Sequence, residues 1–276
     1  MSDARRDRLA GLLAEAATRF GVILDGEPVR GAYDRTLAVR TSGPAWLRVT
    51  AQPPEWARGE IWDGIATATG EPFGDIPMPR HLRSAEWAAP WDDVDQVVRA
   101  DLMTFVDQPA VGTGLVLEHP VDLPDTWWAG LRAGLDTLRR VATERRVLDP
   151  DAVRSSILAL FGVEIDLGRV EWEVSHGDLH FGNLTAPGLT ILDWEYWGRA
   201  LAGYDAAVLA CSAILQPDVA ARVRAEFADV LDTYSGAVAQ LAAADKYLRL
   251  VGIGAHPEIA VPVRRQAEAV IRDRLG

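Results

Sequence analysis

The sequence predicts an α+β protein with a strand-rich N-terminal part and a helix-rich C-terminal part. Short β-like segments separated by turns fill the first part, helical periodicity dominates the second, and the composition changes around Asp107-Gln108-Pro109 and Gly112. We therefore expect a small N-terminal lobe over residues 1–107 and a larger C-terminal lobe over residues 108–276. The cleft between two such lobes is a usual place for a ligand.

The N-terminal part begins with a predicted helix over residues 3–20, in which Leu9 and Leu12 lie on one face and Gly21 marks the end. The tripeptide Ser42-Gly43-Pro44 separates two β-like segments and predicts a hairpin. The other elements expected here are hairpin strands at 36–41 and 45–50, a helix at 55–69, a loop at 72–79, and strands at 81–85 and 97–106.

Helices predominate after the linker. In the first of them, Trp128, Leu131, Leu135 and Leu138 recur on one face, as expected for a helix that packs against a core. The predicted helices cover residues 127–143, 151–160, 203–215, 217–234, 237–251 and 262–275.

The charge of the chain limits its partners. The formal net charge is −12, which argues against a nucleic-acid partner, because such binding needs a basic patch. It also argues against binding to anionic membranes. An acidic protein attracts cationic ligands, although the same charge is common among soluble proteins. The oligomeric state is left open.

The location expected from the sequence is the cytoplasm. No apolar run reaches the roughly 18 residues of a membrane span. The charged start of the chain is not followed by the apolar core of an export signal. The single cysteine, Cys211, lies in an apolar stretch and suits a reducing compartment, where we interpret it as a core residue and not a nucleophile.

One polar segment carries the chemistry. Asp178 and Asn183 lie on a loop before a predicted hairpin, and residues 189–192 are predicted to form a short buried strand that ends at Asp193. The hairpin would bring Asn183 and Asp193 to face the same space. Amide and carboxylate oxygens are hard ligands that suit Mg²⁺ better than zinc.

The spacing in this segment is typical of phosphoryl transfer. That chemistry needs a metal to neutralise a triphosphate and a carboxylate to orient the attacking hydroxyl. Protein kinases place the carboxylate five residues before a metal-binding asparagine, in an H-x-D-x-x-x-x-N loop, and a second metal-binding aspartate follows on a later strand. His176, Asp178, Asn183 and Asp193 have this arrangement.

The segments His-Gly-Asp-Leu-His-x-Gly-Asn, which ends at Asn183, and Ile-Leu-Asp-Trp-Glu, which ends at Glu195, strongly resemble the aminoglycoside phosphotransferase family. The resemblance implies a protein-kinase-like two-lobe fold and transfer of phosphate from ATP to a small-molecule hydroxyl. It implies that Asp178 is the catalytic base and that Asn183 and Asp193 bind Mg²⁺. Phe181 departs from the proline that is frequent in the family.

The same resemblance assigns nucleotide contacts to the N-terminal part. Arg48 stands where a phosphate-binding lysine is common, and Glu60 is its expected helix partner, with Glu55 as the alternative. The strand over residues 101–106, with Met103 and Phe105, resembles the hinge whose backbone takes the adenine edge. The turn at residues 31–34 is expected to cover the phosphates.

Other residues near the motif have more than one interpretation. His176 is expected to shape the loop by hydrogen bonding, His180 either contacts the substrate or packs the loop, and Glu195 helps to position metal or substrate. A transition-metal site formed by His176, Asp178 and His180 is an alternative. Asp205 is expected to be a helix N-cap and scaffold residue.

The acceptor is the least determined part. The resemblance and the acidic charge favour an aminoglycoside or another hydroxylated antibiotic, and a metabolic alcohol of the choline, homoserine or sugar type is the alternative. Glu226, Asp229 and Asp232 either line a cationic pocket or form a solvated helix face. A catalytically silent nucleotide-binding protein is the alternative from another class.

Overall fold

The computed structural model describes residues 3–31, 35–91 and 94–275, and the chain divides into two compact units. The first unit comprises Met1–Gly70 and Met78–Asp107, and the second comprises Glu71–Pro77 and Gln108–Gly276. Among the described residues, the first unit holds five strands and two helices, whereas the second is mainly helical. The α+β class predicted from the sequence is confirmed.

The first unit is built on an antiparallel sheet of five strands flanked by two helices. Their bounds are α1 Asp3–Phe20, β1 Val29–Arg30, β2 Thr36–Arg40, β3 Ala45–Gln52, α2 Glu60–Thr67, β4 His81–Ala89 and β5 Gln96–Thr104. The strand order is β1-β2-β3-β5-β4. Helix α1 packs against β2, β3 and β5, and helix α2 packs against β4.

The two faces of this sheet differ in polarity because side chains alternate along each strand. In β3, Leu47, Val49 and Ala51 are fully buried, and Arg48 and Thr50 between them are half-buried. The apolar face packs against the leucine and alanine stripe of α1. Arg48 therefore lies on the face of the sheet opposite to α1.

That second face also carries a buried charge network. On β5, Arg99 donates from Nε to Asp101 at 2.9 Å and from Nη1 to Glu86 of β4 at 2.6 Å. Both Arg99 and Asp101 are buried, and a buried charge is tolerated only when it is paired. Trp62 of α2 donates its ring N–H to the same Glu86 at 3.0 Å, which ties α2 to the sheet.

Several N-terminal elements differ from the prediction. Strand β1 was not expected, and β4 extends to Ala89 instead of ending at residue 85. The helix expected over residues 55–69 begins only at Glu60, because Pro53-Pro54 form a turn and Gly59 adopts φ +82 just before the first helical residue. The segment 72–79, expected as loop, contains one short 3₁₀ turn at Phe73–Asp75.

The second unit consists of seven helices and one two-stranded antiparallel sheet within its described residues. The bounds are α3 Asp125–Leu138, α4 Pro150–Phe161, β6 Trp172–Ser175, β7 Gly198–Leu201, α5 Tyr204–Ser212, α6 Pro217–Glu226, α7 Ala228–Leu231, α8 Tyr234–Gly252 and α9 Ala260–Val270. A π-helical turn at Ile271–Leu275 follows α9. No helix in these residues is long and apolar enough to cross a membrane.

Helices α5 and α8 form the centre of the second unit and pack against each other. Every residue of α5 is buried, as expected for a helix that is apolar on all sides. Helix α8 buries a long run of small side chains over residues 235–244 and continues to Gly252. Tyr247 and Leu248, beyond this run, are buried as well.

Three predicted C-terminal elements are wrong in detail. The helix expected over residues 127–143 ends at Leu138, and the one expected over 217–234 is interrupted at Phe227, whose buried ring and non-helical backbone separate α6 from α7. The strand expected over residues 189–192 is reduced to one bridge between Leu184 and Ile191. The chain bends over residues 186–188, before this segment, and turns again at residues 194–195, after it.

Candidate active site

The loop that follows β6 is held by a carboxylate from another element. Asp205 of α5 accepts a hydrogen bond from the backbone N–H of His176 at 2.7 Å and another from Gly177 at 2.9 Å. Burial raises the pKa of Asp205, and the hydrogen bonds from these two N–H groups oppose that rise. The predicted N-cap role is wrong, since Gly203 occupies the cap position and Asp205 lies in the first helical turn.

Glycine is required where the loop leaves β6. Gly177 has φ +83, a backbone conformation that other residues rarely adopt. A Cβ atom there would lie 2.6 Å from the carbonyl oxygen of Tyr196 and 2.9 Å from the side chain of Val147. The close packing behind Gly177 fixes the path of the chain into Asp178.

His176 connects this loop to the segment before Asp193. It is fully buried, its Nδ1 accepts from the N–H of Asp178 at 3.3 Å, and its Nε2 donates to the carbonyl of Leu192 at 2.8 Å. Its ring also packs edge-on against Trp194, 4.9 Å between centroids. Burial lowers the pKa of His176, so the ring is neutral at pH 7.

Asn183 and Asp193 are linked through the backbone. The side-chain Nδ2 of Asn183 donates to the carbonyl of Asp178 at 2.9 Å, which leaves its amide oxygen as an acceptor. The N–H of Leu192 donates to the carbonyl of Asn183 at 2.8 Å. Asp193 itself has φ +60, an uncommon conformation for a residue other than glycine, of the kind found at functional turns.

Asp178 lies between two basic side chains. Its Oδ1 is 2.5 Å from the Nζ of Lys246, and its Oδ2 is 3.7 Å from the Nε2 of His180. Burial by itself would raise the pKa of Asp178, but His180 and the positive charge of Lys246 outweigh it and hold that pKa well below its usual range. Asp178 is therefore a carboxylate at every pH near neutrality.

Lys246 is the residue that the sequence analysis missed. It lies on α8, 68 positions after Asp178, and no spacing motif relates the two. The sequence does hold one signal, because Lys246 is the only lysine of the chain and all the other basic residues are arginine. Arginine and lysine are not interchangeable, since only lysine presents a compact point charge.

The transition-metal alternative is not supported by this geometry. Both ring nitrogens of His176 are already hydrogen-bonded to the backbone, and Nδ1 of His180 accepts from the N–H of Gly182 at 3.1 Å. Across the described ranges, no three His, Cys, Asp or Glu side chains converge as a metal-binding group.

The predicted nucleotide residues all belong to the first unit. Arg48 lies on β3 in register with Asp101 of β5, and Glu60 is the first residue of α2. Met103 lies on β5 between β3 and β4. The predicted phosphate turn falls mostly on residues 32–34, which lie outside the described part of the chain.

One backbone group of the predicted hinge is already hydrogen-bonded. The backbone N–H of Phe105 donates to the carbonyl of Pro44 at 3.0 Å, so it is not available to an adenine ring. The ring of Phe105 stacks on Trp46, 6.0 Å between centroids, and the guanidinium carbon of Arg40 lies 4.7 Å from the centroid of the Phe105 ring. Glu195 is half-buried, and its carbonyl accepts from Arg145 at 3.5 Å.

Comparison by sequence identifies no relative, since no family model matches the chain and no curated protein matches it. Solved structures do match. Aminoglycoside phosphotransferase APH(4)-Ia, in a ternary complex with ADP and hygromycin B, superposes with a TM-score of 0.58 at 12% identity, over 96% of this chain and 99% of that one.

Two further matches have the same character. The GDP complex of aminoglycoside 2'-phosphotransferase-IIIa gives a TM-score of 0.53 at 14% identity, over 94% of this chain and 96% of that one. LicA in complex with AMP gives 0.51 at 13% identity, over 95% and 98%. The chain therefore has the protein-kinase-like α+β fold of the aminoglycoside phosphotransferase structures, as the sequence motif predicts.

Proposed function

We propose that the protein is an ATP-dependent phosphotransferase that transfers the γ-phosphate to a hydroxyl group of a small molecule. The observation that carries the proposal is the loop from His176 to Asn183. It presents an ionised Asp178, fixes the amide of Asn183 and is bonded to the residue before Asp193. The shared fold adds support, although a fold by itself does not define a function.

Asp178 is assigned to the acceptor hydroxyl. A carboxylate with a strongly lowered pKa is a weak base, so its main contribution is to accept a hydrogen bond and orient the hydroxyl oxygen for attack. As the O–P bond forms and the bond to ADP breaks, the hydroxyl proton becomes acidic and passes to Asp178. The products are a phosphate monoester and ADP.

The Mg²⁺ ligands are assigned to Asn183 and Asp193. The side-chain nitrogen of Asn183 is occupied by the loop, so its oxygen is the atom left to bind a cation. An amide oxygen and a carboxylate form a donor set that fits Mg²⁺. When bound, the metal would neutralise charge on the triphosphate.

The nucleotide residues are assigned in the first unit. Arg48 is proposed to bind phosphate oxygens, for which a guanidinium fork is suited. Glu60 is proposed to orient Arg48, and Met103 and Phe105 are proposed to contact the adenine through side chains.

The acceptor is proposed to be an aminoglycoside or another hydroxylated antibiotic, with a metabolic alcohol as the second class. The test is ADP release from Mg-ATP with a panel of both classes, in the wild type and in Asp178→Asn. We expect acceptor-dependent release that the substitution removes. Nucleotide binding without turnover for any acceptor would favour a catalytically silent protein.

A further inference from the structure

Lys246 has a donor that the protein does not use. An ammonium group carries three N–H donors. One donates to Oδ1 of Asp178 at 2.5 Å, and a second makes a long contact of 3.4 Å to the carbonyl of Gly177. Within the described residues the third has no protein acceptor, and 27% of the Lys246 side chain is exposed. A ligand that reaches Asp178 can therefore reach this donor.

The ammonium group of Lys246 has a single carboxylate partner. Asp178 is the only carboxylate that pairs with Lys246 among the described residues, and the phenols of Tyr204 and Tyr196 are its other neighbours. Asp205 is occupied by the loop backbone, and Asp245, beside Lys246 on α8, pairs with Arg249.

The acidic net charge of the chain has little effect at Lys246. Surface charges further away than roughly 8 Å are largely screened at physiological ionic strength. The acidic residues considered for a cationic pocket are also occupied. Glu226 pairs with Arg222, Asp229 with Arg132, and Asp232 with Arg274. They form ion pairs on the surface and leave Lys246 as the charge nearest to Asp178.

We propose that Lys246 is a specificity-determining residue of the acceptor site. Its third N–H binds an oxygen on the carbon adjacent to the one that bears the reacting hydroxyl. The acceptor would then be a vicinal diol or a 2-hydroxy acid and would not carry an ammonium group at that carbon. The inference rests on the proposed function, because it takes Asp178 as the group that orients the reacting hydroxyl.

Hydrogen bonding sets the size of the expected preference. An ammonium group at the neighbouring carbon has no lone pair to accept the third N–H of Lys246, and a hydrogen bond to a charged group is worth about 1.5–3 kcal/mol, or roughly tenfold or more in binding. A carboxylate or hydroxyl oxygen at the same carbon accepts the free N–H instead.

The test uses the fact that the chain has a single lysine. Protein labelled with ¹³C,¹⁵N-lysine gives one lysine side-chain signal, which is titrated in the presence of Mg²⁺ and a non-hydrolysable ATP analogue. The probes are glycolate, ethylene glycol and ethanolamine, which differ in the group beside the hydroxyl. We expect glycolate to shift the Lys246 signal and to bind at least about tenfold more tightly than ethanolamine.

Variants separate charge from structure. Lys246→Met removes the ammonium, and the preference for glycolate should be lost when binding is followed through the ligand signals. Asp178→Asn and the double variant Asp178→Asn with Lys246→Met repeat the comparison without an unpaired buried carboxylate. Lys246→Arg retains the charge and should retain the preference. Arg264→Met removes an exposed positive charge from α9 and should leave the preference unchanged.

The outcomes are distinct from those of the proposed function. Equal binding of glycolate and ethanolamine, a preference that survives Lys246→Met, or a Lys246 signal that no probe shifts would each overturn the assignment. None of these readouts needs turnover. The proposed function fails separately, through absence of ADP release with every acceptor.

Discussion

At the scale of single residues, the side chains of the site are held in place by hydrogen bonds and an ion pair. Both ring nitrogens of His176 are bonded, the amide nitrogen of Asn183 is bonded, and Asp178 is held by Lys246. Side chains fixed in this way keep their geometry when a substrate binds, which is the condition for orienting a hydroxyl toward a phosphate.

Cys211 supplies a prediction about reactivity. It is buried in α5, and burial raises the pKa of its thiol to about 12. Since the thiolate is the reactive form, we expect no measurable reaction with an aromatic disulfide reagent at pH 8 in the folded protein. Reaction should follow promptly in denaturing urea. Fast reaction of the native protein would contradict the core interpretation.

Gly177 supplies a prediction about stability. In Gly177→Ala the added Cβ meets the backbone of Tyr196 at a positive φ, and we expect a loss of about 1–3 kcal/mol or more in the free energy of unfolding. The matched control is Gly11→Ala in α1, where nothing lies within 4 Å. There we expect a gain of up to about 1 kcal/mol. Denaturant unfolding measures both, and equal effects would refute the account.

At the scale of elements, the candidate site depends on contacts between segments far apart in the sequence. Asp205 of α5 holds the start of the loop, and Lys246 of α8 holds its catalytic carboxylate. The helices that form the apolar centre of the second unit therefore also position the loop. A change in the packing of α5 against α8 would therefore shift the position of Asp178.

Asp205 gives the prediction at this scale. Asp205→Ala leaves the N–H groups of His176 and Gly177 buried without acceptors, and each costs about 1–3 kcal/mol. We expect a large fall in thermal stability together with loss of activity. The control is Asp218→Ala, which removes an exposed carboxylate from the first turn of α6 and should cost at most about 1 kcal/mol. Similar losses in the two variants would show that the loop contacts contribute little.

At the scale of the whole molecule, the sequence predicts the class and most elements because their signals are local. The stripe of Leu9 and Leu12 predicts α1 correctly, and the turn at Ser42-Gly43-Pro44 predicts the hairpin of β2 and β3. The motif from His176 to Asn183 is local too, since its residues are adjacent in the chain. For that reason it could be found without a structure.

The parts that could not be predicted depend on long-range packing. The break at Phe227 arises because a buried ring overrides a continuous helical pattern. The roles of Asp205 and Lys246 arise from hydrogen bonds that span 28 to 68 positions. Periodicity and spacing carry no information about such pairs, although the presence of a single lysine was a visible anomaly of composition.

The proposed reaction can be followed directly by phosphorus NMR of Mg-ATP mixed with each acceptor of the panel and either wild-type protein or Asp178→Asn. We expect a new phosphate monoester signal that grows with the ADP signals in the wild type, and a rate at least about a hundredfold lower in the variant, with nucleotide binding retained. Formation of the ester at an equal rate in Asp178→Asn would contradict the assignment of Asp178. ATP bound but unchanged with every acceptor would contradict the proposed phosphotransferase.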